Sequence, residues 1–117
     1  MTKNLTRNDL RNFRNVTVKG FGLQDHCEFD VFAENYDSNG RGEAQGLEVI
    51  DVTMLSPFRF EISDRSGNFY GTYLGRKEAH RKAYEIASRI ARKIAGENNL
   101  PVSYCVPYQE TPRSDLR

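Results

Sequence analysis

Two histidines (His26, His80) and two cysteines (Cys27, Cys105) are the residues of this 117-residue chain best equipped for metal or nucleophilic chemistry. Their spacing argues against both. His26 and Cys27 are adjacent, so on a strand they point to opposite faces. His80 and Cys105 lie alone, and no Cys-x-x-Cys pair or helical His pair occurs. Cys27 falls on the apolar face of its segment, where cysteine acts as a small hydrophobe. Glu28 and Asp30 share a strand face and, with Asp25 and Glu34, have the composition of a metal-assisted nuclease site. No lysine follows Asp30, Glu48, Asp51 or Glu61 within two residues, so these acids read as a solvated strand face. The stretch from Gly71 to Lys77 has the look of a phosphate loop. It is one residue short, and Glu78 stands where Ser or Thr is required. The expectation is a non-enzymatic protein with no metal and no cofactor.

The cations are more informative. Net charge is only +1, yet residues 1–20 carry +4, residues 21–64 carry −8, residues 65–96 carry +6 and the remainder −1. Such a polarised chain suits an anionic partner, or a contact between acidic and basic surfaces. Arg76 and Lys77 begin the basic segment in what reads as the first turn of a helix. Acids are preferred at that end of the helix dipole, so a basic pair there breaks a local rule. It could clamp a phosphate together with the free backbone N–H groups. Arg81 follows on the helix's outer face, and Arg7, Arg11 and Arg14 form a basic N-terminal arm. Tyr70 and Tyr73 are candidates to stack on bases.

These side chains must be positioned by a small mixed fold. Alternating apolar residues predict strands over 16–21, 27–33, 47–55, 58–63 and 69–74, with a last strand from Val102 to Pro107. Asn39-Gly40 marks a hairpin, and residues 64–68 mark a turn. From Arg76 to Ala95 the period becomes helical and no Pro or Gly intervenes. Ala79, Ala83, Ile86, Ala87, Ile90, Ala91 and Ile94 make one stripe; Arg81, Lys82, Arg89, Arg92 and Lys93 lie opposite. Gly75 is placed to cap the start and Gly96 to end the helix. Glu78–Lys82 and Glu85–Arg89 stand at ion-pairing distance along it. The fold class is therefore α+β: an antiparallel sheet of five to six strands with one long helix across it. A flexible arm (1–15), a single domain (16–108) and a loose tail (109–117) complete the organisation.

Residues 58–91 resemble the C-terminal half of the double-stranded-RNA-binding domain. In that family a hairpin feeds a helix that opens on two lysines followed by alanines four apart. Here the corresponding residues are Phe58, Phe60 and Ile62, the turn at Gly67, then Arg76-Lys77-Glu78-Ala79, Ala83 and Ala87. The resemblance implies phosphate contacts from Arg76 and Lys77, with His80 where the family often has a further lysine. It also implies recognition of A-form RNA by shape.

The sequence thus leads to a small cytoplasmic module with no export signal, no membrane span and free thiols. Its expected partner is RNA or DNA backbone. The alternative is a protein-interaction module or inhibitor of the kind found among phage accessory proteins, possible also as a homodimer.

Overall fold

The computed structural model describes residues 10–22 and 26–105. After a 3₁₀ turn at Leu10–Asn12 come strands β1 (Asn15–Gly22), β2 (His26–Glu34), β3 (Ala44–Ser56), β4 (Arg59–Asp64) and β5 (Phe69–Leu74). Helix α1 (Arg76–Glu97) and strand β6 (Val102–Cys105) follow. The six strands form one sheet in the order β5-β4-β3-β2-β1-β6, with α1 packed across one face. The architecture is α+β.

Period-two alternation sorts the side chains. In β2, Cys27, Phe29, Val31 and Ala33 are buried, while His26, Glu28, Asp30, Phe32 and Glu34 keep partial access to water. Val16, Val18, Ile50, Val52, Phe60 and Ile62 share the buried face and meet Ala79, Ala83, Ile86, Ala87, Ala91 and Ala95 of α1. Burying each large apolar side chain contributes about 1.5–3 kcal/mol. The alanines let the helix lie close to the sheet.

Two details differ from the sequence reading. The sheet is not wholly antiparallel, because β6 runs parallel to β1. The reason is the path of α1. The helix starts where Gly75 N–H bonds to Phe58 O and ends where Ile94 packs with Leu10 and Phe13. That is the end at which β1 begins, so the returning chain enters β6 alongside β1, with Val16 N–H on Pro101 O. The helix also runs past Gly96 to Glu97. The left-handed residue beyond it is Asn99 (φ 57°), and the Asn98 side chain bonds back to Ile94 O. Gly75 does cap the start (φ 92°), with no side-chain hydrogen bond there.

Residues 10–15 of the segment read as an arm pack onto the fold: Leu10 and Phe13 are buried against Ala33. Among the described residues no helix is long and apolar enough to cross a membrane.

Candidate functional site

The helix start displays two cations. Lys77 is exposed, and the exposed Arg76 lays its guanidinium 5.3 Å from the centre of the Phe60 ring. His80 is half-buried. Burial, and then the charge of Arg76, push its pKa below the ordinary histidine value, so at neutral pH it adds no positive charge. Arg81 is committed elsewhere, bonding to Glu78 on one side and to Glu85 at 2.9 Å on the other. Lys82 reaches Glu85 at 3.6 Å. The pairing expected along the helix is therefore replaced: Arg81 takes both acids, and Arg89 has no ion pair among the described residues.

The described part of the arm, residues 10–15, does not join the helix start. Arg7 lies outside the described residues. Arg11 is in the 3₁₀ turn, and Arg14 precedes β1, its backbone N–H donating to Glu34 O at 2.8 Å. Both belong to the end where α1 finishes. A helix of 22 residues is about 33 Å long, so Arg14 and the Arg76–Lys77 pair stand at opposite ends of it. Tyr70 and Tyr73 are not free stacking surfaces. They pack against the core, with Tyr70 bonding to Asp64 at 2.8 Å and Tyr73 to Tyr70 O at 3.1 Å.

A groove that sequence reasoning missed lies between α1 and β6. It is open, about 460 Å³, and lined by Tyr84, Glu85, Ser88, Arg89, Arg92 and Tyr104. An aromatic relay supports it. Phe29, in the core, meets Tyr84 at 5.9 Å between ring centres; Tyr84 meets Tyr104 at 6.0 Å and 59°. Tyr104 remains 45% exposed. Arg92 donates to the Tyr104 hydroxyl at 3.4 Å. Ser88 is only 4% exposed, and its hydroxyl lies beside the Tyr84 phenol. Burial, then the neighbouring Tyr104, push the Tyr84 pKa up and outweigh the lowering contact with Ser88, so its phenol stays neutral. Arg89 and Arg92 were legible as outward helix cations. Tyr104 carried no signal, because its place beside Tyr84 depends on β6 pairing with β1.

The opposite sheet face is acidic and internally paired. Arg65 bonds to Asp51 at 3.0 Å and to Glu28 at 3.2 Å, and His26 meets Asp51 at 3.1 Å. His26, Glu28 and Asp51 each bring one ligand atom to within 4.8 Å of the others. With the Arg65 guanidinium on both carboxylates, this is an ion-pair network. Asp30, beside Glu28, has its pKa raised to about 7, first by burial and then by its hydrogen bond and charge contact with Glu28.

Acids therefore outnumber bases on the open face, where Glu28, Asp30, Asp51 and Glu61 lie, and bases outnumber acids on the outer side of α1. Comparison with protein families, with curated proteins and with solved structures finds no match to this chain.

Proposed function

We propose that the protein is a small non-enzymatic binding module whose helix layer holds nucleic-acid backbone. The observation that supports this most is the separation of charge by face. The acidic strands lie across the sheet from the helix, so they do not neutralise it. Of its acids, Glu78 in the first turn is taken by Arg81, and Glu85 near the middle by Arg81 and Lys82. Arg76, Lys77, Arg89 and Arg92 remain turned outward along one element. Phosphates spaced along a strand match such a row of cations, and Arg adds bidentate geometry.

The test is binding to labelled single and double strands across salt. Three to five phosphate contacts give a log K against log salt slope of about −2 to −4. Replacing Arg76 and Lys77 together by Glu is expected to abolish binding and leave the melting temperature nearly unchanged, since neither side chain is buried. No binding at low salt refutes the reading.

A protein-interaction role, by self-association, is favoured by a different observation. The edge strand β5 contains no charged residue and leaves Phe69 61% and Leu74 72% exposed. Uncharged edges template strand pairing. Light scattering of the wild type and Thr72→Lys decides it: a dimer that the lysine dissociates supports it, and a monomer at all concentrations ends it.

A further inference from the structure

We infer that the groove between α1 and β6 takes one unpaired base and its phosphate, so that the ligand is a single strand. This rests on the nucleic-acid reading above and narrows it. Tyr104 stands on an edge strand, its ring tilted against that of Tyr84, with nearly half its surface in water. The 6.0 Å, 59° arrangement leaves no slot between the two rings, so a base stacks on the outer face of Tyr104. Tyr84 and the buried Phe29 behind it brace that platform. Braced aromatic rings lose little entropy when a base docks on them.

The rest of the groove matches what flanks a base. Arg92 is at the Tyr104 hydroxyl, and Arg89 lies on the same rim. Both can turn to a phosphate next to the stacked base. Glu85, the one acid in the lining, has its charge held by Arg81 and Lys82. Ser88, small and buried beside Tyr84, leaves the groove floor open between the two arginines and the Tyr104 ring. The groove also has the volume usual for small-ligand sites, and a single nucleotide needs no more than that. Duplex nucleic acid keeps its base faces stacked inside the helix and offers none to Tyr104. Stacking and phosphate contacts do not read base identity, so the selection is for strand state and not for sequence.

The experiment uses the full chain with a single strand, a fully abasic strand of the same length and charge, the duplex, and a nucleoside monophosphate as competitor. The expected result is that the intact strand binds at least tenfold tighter than the abasic strand and the duplex. Tyr104→Ala should cost about 5- to 150-fold for the intact strand and little for the abasic one. Tyr104→Phe should restore binding to within about twofold of wild type, because the ring face is what matters. If Tyr104→Ala fails to fold, quenching of 2-aminopurine in a strand bound to the wild type reports stacking directly. Equal affinity for strand, abasic strand and duplex overturns the inference and leaves the helix reading standing. Failure of all four to bind overturns both. A mononucleotide that competes at the strand's own concentration assigns the groove to a free nucleotide and overturns the strand.

Discussion

Replacing Asp30 with Asn removes the carboxyl whose surroundings most oppose its charge. Asp30 lies on the open sheet face between Glu28 on its own strand and Lys19 across from it on β1, with Asp51 and Arg65 nearby. One of its oxygens is covered and unpartnered. Burial is the leading cause of its raised pKa; Glu28 and Asp51 add to it, and Arg65 opposes it. The folded carboxyl titrates at about 7 against an ordinary 3.8. Between those values the native chain holds a proton that the unfolded chain has released, so stability falls as pH rises from about 4 to 7. Full conversion at 1.36 kcal/mol per pH unit gives about 4 kcal/mol. Water reaches much of this carboxyl, and screening reduces the effect to about 1–2 kcal/mol. Asn cannot ionise and still offers a hydrogen bond to Glu28. Asp30→Asn should therefore match the wild type near pH 4 and exceed it by about 1–2 kcal/mol at pH 8. That is a gain of roughly 4–8 °C in melting temperature for a domain of this size. Thermal melts by circular dichroism at pH 4, 5, 6, 7 and 8 measure it. A variant less stable than wild type at pH 8 would show Asp30 ionised and favourably paired, and would refute the reasoning.

Four further substitutions probe the scaffold. Asp64 is buried and accepts from Ser66 N–H, Asn68 N–H, the Asn68 amide and Tyr70. Asp64→Ala should cost about 3 kcal/mol by chemical denaturation, and leaves those donors unsatisfied. Although burial raises the Asp64 pKa, these bonds outweigh it and lower it overall. The stability they provide is thus lost as pH falls below about 4, and the variant's acid limb should be flatter. Ala87→Leu places a large side chain at a fully buried point of the helix–sheet contact, and should lower stability by about 1–3 kcal/mol in the same assay. Gly42→Ala puts a Cβ 2.7 Å from Asn35 O at φ 149° and should cost about 1–3 kcal/mol. Gly40→Ala, with open space around it, should cost less; equal losses would contradict the packing account.

Local rules explain why most elements were legible. The alternation of Cys27, Phe29, Val31 and Ala33 assigns the β2 faces, and the alanine stripe marks the buried side of α1. Asp37 shows how such signals work: its carboxylate accepts from Asn39 and Arg41 N–H at 2.9 Å, closing the loop that Asn39-Gly40 announced. The ion pairs were less legible. Glu78, Arg81 and Glu85 share a helix face with several alternatives of equal spacing, and side-chain geometry alone selected Arg81.

What the sequence by itself determined is therefore the identity and faces of the strands, the start and buried face of the helix and the polarity of charge along the chain. Each of those depends on residues within a few positions of one another. Tertiary structure alone decided that β6 pairs with β1 in parallel, that Arg14 and Arg76 stand a helix length apart, and that Tyr104 meets Tyr84 and Arg92. It also decided that Glu28, Asp30 and Asp51 gather on the face away from α1, where Arg65 pairs with two of them. The physical reason is that period-two alternation places a side chain above or below a sheet but says nothing about which strand lies alongside. Partners 86 positions apart, such as Val16 and Val102, are chosen by the path of the helix between them.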